Sequence, residues 1–146
     1  MRPEARRPLE FYLSFDGSLL QPERIRVMLD GSYWAAGRSL ELINISIEHS
    51  LCIGAYRNSD VLQVGFARLV TDYMNFAWLS DVIVDEGCRG SGIGKAMVAT
   101  LVTLPGFEDV RFALATRDAH GLYEQFGFSS LPEPEAWMTR YLRRLD

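Results

Sequence analysis

A glycine-rich run that contains two cations is the part of the sequence best suited to binding an anion. The stretch DEGCRGSGIGKAMV, residues 85–98, holds four glycines together with Arg89 and Lys95. Glycines let the backbone come close to a ligand, and free N–H groups at a helix start attract phosphate. A Walker A loop would need glycine at Arg89 and Ser or Thr at Ala96. The dinucleotide fingerprint starting at Gly90 would need glycine at Lys95. The residues exclude both nucleotide motifs and leave open another anion site or an ordinary tight turn.

The flanking sequence places this run between a strand and a helix. FAWLSDVIV, residues 76–84, is almost continuously apolar, which predicts a strand covered on both faces. Behind the run, apolar residues recur on one helical face until Pro105 and Gly106 end the pattern. These residues are Ile93, Met97, Leu101 and Leu104. In such a strand–loop–helix unit, the first helical N–H groups and the positive end of the helix dipole point at one spot.

The other patterns predict a single mixed α/β domain over residues 1–146, with a central sheet and helices packed against it. Strand composition occurs in LEFYLSFD, LCIGAY, VLQVGFARLVT and VRFALAT, and RNSD between the second and third is a hairpin signal. Helical signals occur in PERIRVMLDG, SLELINISIEHS and DAHGLYEQFGF. The last apolar segment, AWMTRYL, is predicted to add an edge strand, which would also be a candidate edge for a homodimer.

Composition narrows the classes of partner. The chain has 146 residues, a hydrophobic fraction of 48% and a formal net charge of -4. A negative chain is not expected to bind nucleic acid or an anionic membrane, since both need a basic surface. The two cysteines match no metal-ligand or disulfide spacing, so no metal is expected. With no leader and no apolar span, the sequence predicts a cytoplasmic protein, and its opening MRPEARRP a loose terminus.

The glycine-rich run resembles the signature of the GNAT family of N-acetyltransferases. That family carries Arg/Gln-x-x-Gly-x-Gly/Ala between a strand and a helix, and Arg89, Gly92 and Gly94 fill those places. The resemblance is good over residues 66–128, whereas the earlier part of the chain matches only in element order. It implies the acyl-CoA N-acyltransferase fold, a mixed and mostly antiparallel sheet flanked by helices.

A second motif agrees with the first. The family often shows alanine, three residues, tyrosine, three residues and glycine-phenylalanine; here these are Ala119, Tyr123, Gly127 and Phe128. The stretches VTDYMNFAWLSDV and LATRDAHGLYEQFGF resemble those of small single-domain bacterial members. The resemblance implies direct transfer of the acetyl group of acetyl-CoA to a primary amine in a ternary complex. It leaves the amine acceptor, whether small molecule or protein, open.

The resemblance also implies where the coenzyme binds. Backbone N–H groups of the loop would hold the pyrophosphate, and the residues concerned are Arg89, Gly90, Ser91, Gly92, Ile93, Gly94 and Lys95. The backbone of Val82, Ile83 and Val84 would pair with the pantetheine arm. Thr116 stands where many members have an asparagine that contacts this arm, so that contact is shifted, water-mediated or absent.

Two residues are candidates for proton transfer. Tyr123 matches the tyrosine that often protonates the leaving thiolate, although its apolar helical stripe is equally typical of a core aromatic. Asp81 is the sole carboxylate within FAWLSDVIV and a candidate general base, for which a raised pKa would be suited. A structural hydrogen-bonding role for Asp81 is the alternative. Asp72, Tyr73 or a water chain are rival bases.

Tyr33 and Trp34 lie between the first two helices, where the family often lines the acceptor pocket. They are predicted to form either an aromatic wall for the acceptor or caps of the core. His120 and Cys88 are expected to be incidental, the latter as a small buried side chain. A non-catalytic acyl-CoA-binding regulatory module is the alternative function. The net charge disfavours a third, the acetylating toxins that modify charged tRNA.

Overall fold

The structure is a computed structural model that describes residues 9–140, so the opening MRPEARRP lies outside the described residues. Over this range the chain forms one five-stranded sheet in the order β1-β2-β3-β4-β5. All neighbours are antiparallel except β4 and β5, which run parallel. The strands are β1 Phe11–Ser14, β2 Leu51–Arg57, β3 Gln63–Thr71, β4 Phe76–Val84 and β5 Arg111–Ala113. The helices are α1 Pro22–Asp30, α2 Leu40–Glu48, α3 Ile93–Val102 and α4 His120–Glu124.

Local signals explain the helices of the first half. Pro22 occupies the first position of α1, where its missing N–H is not needed, and Gly31 is the C-cap. Ser39 caps α2 by accepting a hydrogen bond from the N–H of Leu42 at 3.2 Å. The predicted helices PERIRVMLDG and SLELINISIEHS are confirmed.

The core divides between the two faces of the sheet. On one face α3 packs against the central strands, and its fully buried residues are Ile93, Met97, Val98 and Leu101. On the other face α1 and α2 cover Phe66 and Ile83 with Ile25, Leu29 and Ile43. This mixed sheet with flanking helices confirms the predicted fold class.

A bulge interrupts the pairing of β3 with β4. Phe66 pairs with Ile83 and Arg68 with Ser80, so two residues of β4 face one residue of β3. Asp81 lies in the bulge with φ of 54°, a left-handed conformation that is uncommon for a residue with a Cβ. The bulge brings its carboxylate onto the face of the sheet that carries Arg68.

The strands β4 and β5 separate after three pairs. Phe76 pairs with Arg111, Ala77 with Phe112 and Trp78 with Ala113, and no further pair follows within residues 9–140. Most of β4 therefore presents its outer backbone edge to a cleft rather than to a neighbouring strand. The predicted strand VRFALAT is shorter than expected because its last three residues line this cleft.

Two further expectations were wrong. The segment AWMTRYL forms no strand over its described residues 136–140, and its end lies outside the described part. Trp137 instead stacks against Arg111, whose Cζ lies 4.9 Å from the ring centroid, so the dimer edge expected on this strand loses its basis. The strand β4 is not covered on both faces either, because Trp78 is 37% exposed where its face opens into the cleft.

Among the described residues, no helix is long and apolar enough to cross a membrane. A cytoplasmic location stays a prediction.

Candidate active site

The glycine-rich run forms the turn between β4 and α3. Gly90 and Gly92 both have φ of 83°, a backbone conformation that residues with a Cβ rarely adopt. A Cβ at either position would meet no described atom within 4 Å, so the loop is open on that side. It is a backbone cradle that a side chain would narrow.

The start of α3 faces this cradle with unused donors. Gly92 caps the helix, no described side chain caps it, and the first helical hydrogen bond runs from the N–H of Ala96 to the carbonyl of Gly92 at 3.0 Å. The N–H groups of Ile93, Gly94 and Lys95 therefore lack helical acceptors. Together with the dipole of a ten-residue helix, this arrangement fits a phosphate group.

A charged contact fixes the loop to α1. Asp85 follows β4 directly, and one of its carboxylate oxygens lies 3.3 Å from Nη2 of Arg24. The backbone N–H of Asp85 donates to the carbonyl of Val64 at 2.8 Å. These contacts hold the first residue of the loop against β3 and α1.

The cleft between β4 and β5 encloses a cavity of about 420 Å³. It is lined by Tyr33, Trp34, Trp78, Leu79, Ser80, Asp81, Val82, Leu114, Ala115, Thr116, Arg117 and Tyr123. A larger cavity of about 900 Å³ lies between the end of α3, β5 and the segment after α4, and the two share residues 114–116 and Tyr123. The parting of the strands therefore connects the predicted pantetheine edge with the predicted proton donor.

Tyr123 lies at the junction of the two cavities. It is 9% exposed, and its ring packs edge-on against Phe128 with centroids 5.8 Å apart. Burial raises the pKa of Tyr123 above its ordinary value, with smaller contributions from Tyr33 and Asp118. The hydroxyl therefore keeps its proton at neutral pH and is available as a donor. Tyr123 therefore belongs to the hydrophobic core and also lines both cavities.

Asp81 lies at the centre of a charged cluster. Its Oδ2 accepts hydrogen bonds from Nη1 of Arg38 and Nε of Arg68, each at 2.6 Å. Its Oδ1 accepts one from Nε1 of Trp34 at 3.1 Å. Burial alone would raise the pKa of Asp81, but the hydrogen bonds and charges of the two arginines outweigh it, and the pKa lies below its ordinary value.

The expectation that Asp81 has a raised pKa, as would suit a general base, is therefore wrong. A carboxylate that two guanidinium groups hold ionised has low affinity for a proton. The alternative expectation, a structural hydrogen-bonding residue, describes the observed contacts.

Tyr33 and Trp34 form one wall of the smaller cavity. Their rings meet edge-on with centroids 5.1 Å apart, and Trp34 is tied to β4 through Asp81. The hydroxyl of Tyr33 accepts a hydrogen bond from the backbone N–H of Arg117 at 2.9 Å. The connection between α1 and α2 is therefore fixed to both sides of the cleft. Both residues are more than 40% exposed, as expected of a wall rather than of core caps.

Thr116, which stands where many members of the resembled family have a pantetheine-contacting asparagine, lines both cavities. Its Oγ1 accepts a hydrogen bond from the N–H of Ala119 at 3.1 Å, which supports the turn before α4. The hydroxyl proton is not used in that bond. A coenzyme contact by Thr116 stays a prediction.

The rival residues lie elsewhere. Asp72 accepts hydrogen bonds from the backbone N–H groups of the β3–β4 hairpin, the first of them from Asn75, and these bonds hold its pKa well below its ordinary value. Tyr73 is 56% exposed beside Phe107, and neither candidate lines the smaller cavity. Cys88 is buried as expected, and burial raises the pKa of its thiol. His120 is exposed on the rim of the larger cavity.

Four residues of the site were not singled out from the sequence: Arg38, Arg68, Trp78 and Arg117. The alternation in FAWLSDVIV could have placed Trp78 on one face with Ser80. No local signal joins Arg38 and Arg68 to Asp81, because they lie 43 and 13 residues away along the chain.

Comparison with known proteins agrees with this geometry. The sequence matches the acetyltransferase (GNAT) domain family over residues 48–130. A solved structure from Xanthomonas campestris pv. campestris, assigned to the GNAT family, is 40% identical, covers 91% of this chain and 94% of its own, and has a TM-score of 0.85. An uncharacterized N-acetyltransferase from Gracilaria tenuistipitata var. liui is 26% identical over 127 residues, which make up 84% of this chain and 69% of that protein.

A more distant likeness concerns the fold alone. A Mycobacterium tuberculosis protein solved in complex with CoA is 17% identical, covers 83% of this chain and 73% of its own, and has a TM-score of 0.67. The family match and the 40% identical structure together show that this chain belongs to the GNAT family of acetyltransferases.

Proposed function

We propose that this protein is an acetyl-CoA-dependent N-acetyltransferase that acts on a primary amine by direct transfer in a ternary complex. The observation that carries the proposal is the parting of β4 from β5, which places Val82, Tyr123 and the aromatic wall around one cavity. The start of α3, which no described side chain caps, comes after the same strand along the chain. A donor site and a reaction site are therefore consecutive along β4 and α3.

The residues present fit coenzyme A. The loop residues are Arg89, Gly90, Ser91, Gly92, Ile93, Gly94 and Lys95. The N–H of Arg89 donates to the carbonyl of Glu86 at 3.5 Å, so residues 90–95 offer the backbone N–H groups to a pyrophosphate, and Arg89 and Lys95 offer cationic side chains. The outer edge of β4 at Val82, Ile83 and Val84 can accept pantetheine as an added strand. When bound, acetyl-CoA supplies a thioester that is open to attack by an amine.

The chain's own groups then orient the reactants and move one proton. A backbone N–H on the β4 edge can donate to the thioester oxygen, which favours the developing negative charge. The hydroxyl of Tyr123, kept protonated by burial, can donate to the leaving sulfur.

The amine must lose one proton before it attacks and a second as the amide forms, and the second balances the proton that Tyr123 donates to sulfur. Asp81 is the one carboxylate that lines the cavity in the described part, and its arginine partners keep it ionised with a low pKa. We therefore assign removal of the proton to solvent water that reaches the cavity, not to Asp81.

The test is release of free CoA from acetyl-CoA in the presence of a panel of primary amines, with the acetylated product identified by mass spectrometry. Initial rates measured against both substrates should give intersecting double-reciprocal plots, as a ternary complex requires. Parallel plots would contradict direct transfer. Tight binding of acetyl-CoA without turnover of any amine would favour a non-catalytic acyl-CoA-binding module.

A further inference from the structure

We propose that the amine acceptor carries a negatively charged group, a carboxylate or a phosphate, which Arg117 binds at the mouth of the smaller cavity. This inference rests on the proposed function and names the acceptor class for the same site.

Within the described range, the smaller cavity is lined by two charged residues, the acidic Asp81 and the basic Arg117. Both oxygens of Asp81 are already engaged, Oδ1 by the indole of Trp34 and Oδ2 by two guanidinium groups. A cationic acceptor such as a polyamine would find no uncompensated carboxylate on this wall.

The cluster around Asp81 keeps a net positive charge, because one carboxylate faces the guanidinium groups of Arg38 and Arg68. The side chain of Asp81 is 1% exposed, and the side chains of Arg38 and Arg68 are 22% and 16% exposed. Charge in so poorly solvated a cluster is weakly screened, so the two arginines behind Asp81, which do not themselves line the cavity, favour an anion in it. The overall charge of -4 has the opposite sign, and the local arrangement outweighs it at short range.

Arg117 is held beside the cavity by two contacts with Tyr33. Its Cζ lies 4.4 Å from the ring centroid of Tyr33, and its backbone N–H is bonded to the Tyr33 hydroxyl. The cation lies over the ring of Tyr33, and its guanidinium N–H groups remain able to bind an anion. Within residues 9–140, no carboxylate oxygen lies within 4.0 Å of this group. Arg117 is therefore a cation held at the cavity mouth that has no ion-pair partner among the described residues.

The smaller cavity has a volume of about 420 Å³, which suits a small molecule. The rings of Tyr33, Trp34 and Trp78 offer apolar surface to the carbon skeleton of the acceptor. The acceptor that fits is a small amine with an anionic group at one end.

The experiment compares matched acceptors that differ in charge. The panel contains the common amino acids with their amides, O-phosphoethanolamine with ethanolamine, and spermidine as a polycation, each compared at equal free-amine concentration. We expect kcat/KM to be at least tenfold higher for the anionic member of the preferred pair. The carboxylate and phosphate arms show which anion the site takes.

Arg117→Gln should raise KM for the anionic acceptor at least tenfold, change kcat less, and reduce the preference toward unity. The matched control is Arg26→Gln, which removes the same charge from an exposed position on α1 paired with Glu23. Its anionic preference should equal that of the wild type. Faster turnover of spermidine or of the neutral partners, or a preference that survives Arg117→Gln, would overturn the inference.

A binding measurement separates this inference from the proposed function. The chain has three tryptophans, and two of them line the cavity, so their indole N–H resonances report on its occupancy. Arg117-dependent shifts on addition of the anionic compounds, without turnover of any amine, would contradict the acetyltransferase proposal and leave the anion site standing. Turnover of amines without such shifts would do the reverse.

Discussion

Arg68 and Asp81 meet at the bulge between β3 and β4, where Nε of Arg68 donates to Oδ2 of Asp81 over 2.6 Å. The ordinary alternation of β4 places Ser80 opposite Arg68, and the extra residue brings Asp81 to the same face. Since Arg38 reaches the same oxygen from the connection between α1 and α2, one carboxylate joins three parts of the chain. The bulge is therefore both a feature of the cleft and a point of stability.

Asp81→Asn should destabilise the protein by about 3 kcal/mol, because it leaves two partly buried guanidinium groups without a counter-charge. The substitution keeps the size of the side chain and an acceptor for Trp34. Urea unfolding followed by circular dichroism measures the difference. The control is Asp60→Asn, which breaks an exposed pair with Arg57 and should change stability far less. Equal effects of the two substitutions would show that the cluster is not a stabilising feature.

The contribution of Asp81 should disappear in acid. Its pKa in the folded protein lies below the ordinary value of 3.8, so the folded state favours the ionised form. The resulting stability is fully present above the unfolded pKa and is lost as the pH falls through 3.8 toward the folded pKa. The free-energy difference between wild type and Asp81→Asn should therefore have its full value at pH 7 and shrink as the pH falls below 3.8. A difference that does not shrink below pH 3.8 would contradict the assignment.

Tyr123→Phe should lower kcat by about a hundredfold while the dissociation constant for acetyl-CoA stays within about twofold, since only the proton donor is removed. Steady-state kinetics and calorimetric binding measure the two quantities. Tyr73→Phe is the matched control, because that hydroxyl is exposed on the β3–β4 hairpin and outside the smaller cavity. A Tyr123→Phe variant with full activity would remove Tyr123 from the acid role.

The pH dependence of kcat/KM should follow the acceptor. Since Asp81, the carboxylate that lines the cavity in the described part of the chain, has a lowered pKa, the rising limb should lie at the pKa of the free amine and move with it between acceptors. Because the pKa of Tyr123 is raised above 10.0, no falling limb from this group is expected below that pH. A rising limb that stays at one pH for amines of different basicity would indicate an enzyme base.

Gly92→Ala should weaken acetyl-CoA binding at least tenfold, because its φ of 83° strains a residue with a Cβ at the proposed coenzyme cradle. The strain should cost about 1 kcal/mol of stability. Gly106→Ala is the matched control, since Gly106 has φ of 84°, open space around it and a position beyond the far end of α3. The two variants should lose similar stability and differ in binding. Equal affinities would contradict the role of the cradle.

Short-range signals were sufficient for much of the fold. Pro22 and Gly31 bound α1, the apolar run from Phe76 to Val84 matches β4, and helical spacing behind the glycines predicted α3. These elements follow from residues within one or two turns of each other. The segment AWMTRYL has equally good strand composition but forms none over its described residues, where Trp137 stacks on Arg111. Strand formation depends on a free partner edge, which composition does not report.

The site divides along the same line. The sequence by itself determined the glycine-rich turn before α3, because the backbone requirements of Gly90 and Gly92 are local. It also placed Tyr123 in register with a known motif. Only the tertiary structure decided the charge state of Asp81, the parting of β4 from β5 and the position of Arg117 over Tyr33. A pKa depends on partners that folding brings from distant parts of the chain, and no local pattern of residues specifies them.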